Sequence, residues 1–361
     1  MPIQQIKSGV IADDAVLAEK IADDAVTAAK LDDSTSQLFG FRNRIINGDM
    51  RIDQRNAGAS VTPATSAFPV DRWRAEEDTD GEYTIEQVQD APAGFVDSLK
   101  VTVTTADGTI GATQTATLQQ RIEGNNVADF GLGTANAKTF TLSFWVKSSL
   151  TGTFGGGFSN AAENRSYAFT YTISVADTWE YKTVTVAGDT TGTWQTGTST
   201  GLRVNFGFAA GTTYSQTAGS WSADAKYFSA TGAVNVLGTL SATWYITGVQ
   251  LEVGSVATPF ERRPYGTELA LCQRYFETTN FTAPGVYISA AGVSIYGIHN
   301  YKVTKRANPT ITASVSNSQA SGGAVTARTF NLSNNNADNF STQLATSDPL
   351  AYVTFQATAE L

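Results

Sequence analysis

Hydrolytic chemistry in this chain would have to come from carboxylates, because its 361 residues include one histidine, His299, and one cysteine, Cys272. No local motif ties His299 to a serine and an acid. A single His and a single Cys cannot supply a zinc site within one chain, and Cys272 has no intrachain disulfide partner. H-E-x-x-H and the P-loop are absent, and the G-x-S-x-G string at Gly197-Thr198-Ser199-Thr200-Gly201 leads into the alternating strand pattern from Leu202 rather than into the helix a nucleophile elbow needs. Two carboxylates about 5 to 9.5 Å apart can cleave a glycosidic bond without histidine. Asp49, Glu76, Glu77, Asp78, Glu123 and Glu252 are of the right type, but their spacing pairs none of them, and Glu76-Glu77-Asp78 reads as a solvated loop. Asp49 and Glu252 alone are too few oxygens for a hard cation. No catalytic residue, metal ligand or cofactor is assigned.

Aromatic side chains offer a different chemistry. A flat apolar ring packs against the C–H face of a pyranose, while amides, carboxylates or guanidinium groups take its hydroxyls. Four residues qualify: Trp145, which alternates onto the Thr141/Ser143/Lys147 face of its segment, and Trp194, Tyr214 and Trp221, which sit among Gly, Thr and Ser in loop-like stretches. The plainer role for each is to pin a loop or cover a subunit contact.

Strands must position these rings. Only 16% of residues are charged against 41% hydrophobic, and Thr, Ser, Gly and aromatics are abundant, which favours sheet over helix. Apolar residues alternate cleanly at Leu99, Val101 and Val103; at Phe140, Leu142, Phe144 and Val146; at Tyr167, Phe169, Tyr171 and Ile173; and at Leu202, Val204, Phe206 and Phe208. That pattern predicts antiparallel strands with one face on a core, stacked as an all-β sandwich. The phase slips at Gly248, between Ile246 and Val249, which predicts a β-bulge; a similar slip from Trp179 and Tyr181 to Val184 and Val186 predicts a second bulge or a bend near Lys182. A short helix is expected from Thr267, its N-cap, through Phe276, followed by renewed β patterning.

The chain divides at two points: residues 1–42 form an N-terminal arm, 43–264 the main β domain, and 265–361 a smaller C-terminal β domain. Within the arm, IADDAVLAEK (11–20) and IADDAVTAAK (21–30) repeat nearly unchanged, and a third copy begins at Leu31. Ile11, Val16, Ile21, Val26 and Leu31 recur every five residues. Five residues turn a helix by roughly 140° and reverse the face of a strand, so one copy cannot bury them along a single face. Stacking around a symmetry axis, or docking into another protein, can. Net charge is −9 with no Lys/Arg stripe, which argues against nucleic acid. The basic clusters Arg262-Arg263 and Lys302 to Arg306 read as solvated or salt-bridged surface. No secretory signal and no run of about 18 apolar residues is present, so synthesis in a cytoplasm without membrane insertion is expected.

The segments NRIINGDMRIDQR (43–55), FPVDRW (68–73), TFTLSFWVKSS (139–149), WEYKTVTVAGDTTGTW (179–194) and ATWYITGVQLEVGSVATPFERRPYGTELALCQRYF (242–276) resemble the receptor-binding portion of bacteriophage tail fibres. The closing strand followed by Ala257-Thr258-Pro259-Phe260-Glu261 is similar to the last strand of jelly-roll carbohydrate-binding modules, and the decapeptide repeats resemble N-terminal arms of phage fibres, which are commonly trimers. This resemblance covers nearly all of residues 1–276 and little beyond. It implies an antiparallel jelly-roll sandwich in a homotrimeric virion tail fibre, docked to other tail proteins by its arm and binding host surface polysaccharide or lipopolysaccharide. A virion decoration or head-fibre protein and a capsule depolymerase are the alternatives.

Overall fold

The computed structural model describes residues 41–63, 65–224, 227–283, 294–298, 301–316, 325–329, 339–344 and 351–361. Ile11, Val16, Ile21, Val26, Leu31 and His299 lie outside the described residues.

The alternating segments form two antiparallel sheets. One has seven strands in the order β1 (Ser66–Val70), β2 (Trp73–Glu77), β5 (Thr115–Glu123), β10 (Thr200–Ala210), β7 (Gly152–Ser159), β8 (Ser166–Ile173) and β12 (Trp221–Ser222). The other has five: β3 (Glu82–Val88), β4 (Ser98–Thr105), β14 (Thr243–Val253), β6 (Phe140–Ser148) and β9 (Glu180–Val186). The chain crosses repeatedly from one sheet to the other, as from β5 to β6 and from β9 to β10, which is the jelly-roll habit. The alternating apolar sets meet between the sheets. Phe144 contacts Phe206 edge to face at 5.0 Å, and Trp244 reaches Phe206 and Phe208 at 5.9 and 5.1 Å. Trp244 Nε1 donates to Tyr171 Oη at 3.1 Å, so the polar atom of a fully buried ring is satisfied.

The bulge at Gly248 is present. The register between β14 and β6 shifts between Thr247 and Gln250, Gly248 has φ +62°, and Ile246 and Val249 are both buried. The entering chain runs beside this bulge: Arg44 N donates to Leu251 O at 2.8 Å and Val249 N to Gly48 O at 2.9 Å. Gly48 must stay bare there, since a Cβ would stand 2.2 Å from the Val249 carbonyl oxygen. The bulge expected near Lys182 does not exist. β9 pairs with β6 in unbroken register from Val186↔Phe140 to Glu180↔Val146. Tyr181 stands opposite Trp145 on the outer side, and Trp179 precedes the strand. The alternation never slipped; two large aromatics belonged to the outer face.

Helix α1 (Tyr265–Gln273) starts three residues earlier than expected, with Pro264 rather than Thr267 at its N-cap. Pro264 O accepts from Thr267 N at 3.0 Å and Glu268 N at 3.1 Å, so proline's missing N–H costs nothing at this end. The smaller C-terminal β region follows as two antiparallel sheets: β15 (Phe276–Ala283), β20 (Ala351–Thr358) and β17 (Thr310–Ser316), then β16 (Ser294–Ile298), β19 (Asn339–Leu344) and β18 (Val325–Thr329).

Ion pairs join this region to the sandwich. Arg274 grips Glu123 at the end of β5 with two hydrogen bonds, 2.9 and 2.7 Å, and Tyr275 Oη adds a third at 2.8 Å. Arg55 and Arg72 both pair with Glu360, and Arg72 also lies 3.5 Å over the Tyr275 ring. Arg263 and Lys305 are not surface cations: both are buried, Arg263 against Glu268 at 3.2 Å and Lys305 against Glu277 at 2.7 Å.

Candidate functional site

The four aromatic candidates separate to three places. Tyr214 belongs to the outer side of the seven-stranded sheet. That side carries long polar side chains: Arg74 on β2, Gln119 and Arg121 on β5, and Arg203 and Asn205 on β10, with Arg74 opposite Gln119 and Arg121 opposite Arg203 in the pairing. On β7 the pattern gives way to Gly155-Gly156-Gly157. A Cβ at Gly157 would stand 2.2 Å from Tyr227 O, one at Gly155 would stand 2.2 Å from Ser229 Oγ, and one at Gly207 would stand 2.3 Å from Phe228 O. Bare glycines thus let the backbone of 227–230 lie flat on the sheet as a roof. Its end, β13 (Ser229–Ala230), is fixed by parallel pairing with β11 (Ser215–Gln216).

The roof presents an aromatic wall. Tyr227 and Phe228 stack with centroids 4.3 Å apart, and Tyr214 meets Phe228 edge-on at 5.3 Å. Together they line a cleft of about 290 Å3 whose other side includes Arg74, Glu76, Arg121 and Glu163. The charged groups are held in place. Glu76 pairs with Arg74 at 2.8 Å and faces Arg121 at 3.7 Å; Arg203 pairs with Glu163 and donates to Tyr227 Oη at 3.1 Å. Burial, with the nearby charges of Arg203 and Arg74, pulls Arg121 down to about 10, still cationic at neutral pH. Burial pushes the Tyr227 hydroxyl well up, so it stays a neutral donor and acceptor. Glu76 and Glu77 close strand β2 rather than a loop, and burial raises the Glu77 pKa.

Trp145 lies on the opposite sheet, half-buried on the outer side of β6, with Tyr181 at 5.4 Å and a separate cleft of about 610 Å3 beside it. Trp194 and Trp221 come together at the sandwich edge, edge to face at 5.5 Å, with Trp221 also on Tyr167 at 5.3 Å. Their indole N–H groups are already used, Trp194 on Thr191 O at 3.1 Å and Trp221 on Ala187 O at 2.8 Å. This pair clasps the loop after β9 to β8 and β12, next to the two-pronged Arg165–Asp189 bridge at 2.6 and 2.8 Å. Arg74, Arg121 and Arg203 escaped the sequence reading, and Tyr227 and Phe228 stand in it only as loop aromatics of the stretch that holds Tyr214. The one signal for them was the glycine triplet 155–157 inside a strand, a mark of close backbone approach.

Among the described residues, no three His, Cys, Asp or Glu side chains converge as a metal site requires. The Glu252 carboxylate accepts from Gln250 Nε2 and Thr258 N, each at 2.8 Å, and Thr258 Oγ1 at 2.6 Å; Asp49 pairs with Arg51 at 3.5 Å. No helix among the described residues is long and apolar enough to cross a membrane.

No protein-family model and no curated relative matches the sequence. Among solved structures, the chain is similar to the enzymatically active domain of tailspike protein 4 from bacteriophage CBA120 (14% identity, TM-score 0.32, covering 59% of this chain and 21% of that one). It is also similar to the family 11 carbohydrate-binding module of Clostridium thermocellum in complex with a β-1,3-1,4-mixed-linked tetrasaccharide (11% identity, TM-score 0.30, 54% of this chain and 97% of that one). A third is the N-terminal cellulose-binding domain of Cellulomonas fimi β-1,4-glucanase C (17% identity, TM-score 0.24, 51% of this chain and 90% of that one). The chain spans about a fifth of the tailspike domain's length. The antiparallel sandwich stands on its own strand pairing, described above.

Proposed function

We propose that this protein is a bacteriophage tail-fibre subunit that attaches to host surface glycans, and that the roofed cleft on the seven-stranded sheet is its sugar site. One observation carries the glycan reading: the wall of Tyr214, Phe228 and Tyr227 faces an array of Arg74, Arg121, Glu76 and Glu163. The rings supply the apolar platform that a pyranose needs, and the Arg–Glu array supplies fixed donors and acceptors for its hydroxyls. The ion pairs hold those groups before ligand arrives, which lowers the ordering cost of binding. Glu76 and Glu163 are engaged by arginines, and the other two lining carboxylates, Glu77 and Asp78, accept hydrogen bonds from Thr79 and from Thr115, so binding without cleavage is the role we assign.

The virion role rests on the resemblance of residues 1–276 to phage fibres and on the arm repeat. Ile11, Val16, Ile21, Val26 and Leu31 organise three copies and dock them to tail proteins, leaving the β domains to face outward. Three chains per fibre convert weak single-site contacts into firm adhesion. Purified full-length protein should block adsorption of its phage to host cells, whereas a phage lacking the protein that still adsorbs normally would overturn the assignment. Light scattering should give three times the chain mass; a monomer would remove the trimer.

A further inference from the structure

We infer that the Trp145 cleft is a second glycan site, separate from the roofed one, and that it takes a sugar bearing a carboxylate. It lies on the outer side of the five-stranded sheet, so the two clefts sit on different sheets of the sandwich. The class of ligand rests on the glycan-binding reading; the choice of an acidic sugar rests on this cleft alone.

The lining begins with rings. Trp145 and Tyr181 are cross-strand partners on β6 and β9, 5.4 Å apart, and Tyr181 keeps 43% of its exposure. Phe95 and Phe260 meet edge to face at 5.2 Å on the other side. The bulge lets the two sides meet: Gly248 has no side chain, and a Cβ there would stand 2.7 Å from Phe95 Cζ and 3.1 Å from Trp145 Cδ1, so only a bare residue allows both rings to close on this floor. A ring pair so placed offers the C–H face of a pyranose a platform about one sugar wide.

Charge then selects the sugar. The protein carries a net charge of −9, yet no Asp or Glu lines this cleft. Its one ionic group is Arg262, whose guanidinium lies 4.6 Å from the Phe95 centroid and 5.7 Å from that of Phe260. Arg262 Nη2 donates to Gly94 O, and among the described residues no carboxylate pairs with Arg262 within 4 Å, Asp49 feeling its charge only from beyond that distance. A guanidinium steadied on aromatic faces with N–H groups to spare is suited to a planar carboxylate. A neutral sugar would leave the guanidinium without a direct anionic partner, whereas a uronic or sialic acid would supply one. Ser143 also lines the cleft.

The test uses the full chain labelled with 5-fluorotryptophan, whose six tryptophans give six fluorine signals, that of Trp145 assigned by its loss in Trp145→Phe. The probes are N-acetylneuraminic acid and the methyl glycosides of glucuronic and galacturonic acid, each beside its neutral methyl ester. At least one acid should shift the Trp145 signal saturably while its ester does not. Arg262→Gln should weaken that titration by at least about tenfold, and added salt should weaken it too. Tyr214→Ala should leave it unchanged. A Trp145 signal that no acid moves, or that esters move equally, overturns the inference. The acid–ester contrast uses the wild-type fold and so survives if a variant fails to fold. Failure of the roofed cleft would show instead as polysaccharide retention indifferent to Tyr214→Ala, which leaves this titration standing.

Discussion

Gly157→Ala tests how the glycine triplet of β7 builds the roofed cleft. The added Cβ would stand 2.2 Å from Tyr227 O, 2.8 Å from Tyr227 C and 2.9 Å from Tyr227 Cα, all of them backbone atoms. These cannot rotate away as a side-chain tip would, so the roof must rise by roughly 1 Å to restore ordinary contact. Overpacking of this kind costs about 1–3 kcal/mol. The displacement carries Tyr227 with it, and therefore both its stack on Phe228 and its hydrogen bond from Arg203. Glycan affinity should fall at least about tenfold, because the aromatic wall no longer stands at the spacing set by the Arg–Glu array. Thermal denaturation reports the first effect, and retardation in gels containing host polysaccharide reports the second. Gly108→Ala is the control, since nothing lies within 4 Å of its Cβ position and its φ is not left-handed; it should change stability by no more than about 0.5 kcal/mol. If Gly157→Ala melts and binds like Gly108→Ala, the roof does not depend on bare glycines and the reasoning fails.

Three further outcomes follow from the buried carboxylates Glu123 and Asp71 and their partners. Arg274→Ala strips the two-pronged partner from a Glu123 side chain that is 1% exposed; a loss of about 2 kcal/mol is expected in thermal or denaturant unfolding, discounted because Arg274 itself is 29% exposed. Burial pushes Glu123 up, but the hydrogen bonds of Arg274 and Tyr275 and the Arg274 charge together outweigh it and hold its pKa below the ordinary glutamate value. The wild-type advantage over Arg274→Ala should therefore be full above that ordinary value and fade as pH falls through the lowered one. Asp71 has the opposite sign: burial raises it from 3.8 to about 6 despite Arg55 and Gln54. Between those values the folded state holds a proton that the unfolded state has released, so wild type should lose stability relative to Asp71→Asn as pH rises from about 4 to 6, by about 3 kcal/mol at ~1.36 kcal/mol per pH unit. A difference between the two that stays constant across this window would refute the assignment.

Much of the sandwich was written in period-two alternation. Leu99, Phe140, Tyr167 and Leu202 each head a set that the structure places on strands, and the slip at Gly248 named a real bulge. The misreading at Lys182 has a physical cause. Size and apolarity do not say which face a residue takes, and Trp179 and Tyr181 are outer-face aromatics that imitate a core pair. The roofed cleft was legible only through Tyr214 and the glycine triplet. Its other parts come from β2, β5, β10 and the segment at 227–228, and only strand pairing brings Arg74, Arg121 and Arg203 into one row. Glu76 and Arg263 were read as surface charges because their partners, Arg74 and Glu268, are set by fold rather than by sequence distance.

The most direct measurement is retention of the full-length protein by purified host surface polysaccharides, comparing wild type with Tyr214→Ala and Arg121→Ala. Wild type should be retarded by at least one polysaccharide without releasing reducing ends, and both variants should be retarded far less, with any residual retardation confined to polysaccharides that carry acidic sugars. Free passage of wild type through every polysaccharide, or retardation unchanged in both variants, would contradict a glycan-binding function seated in this cleft.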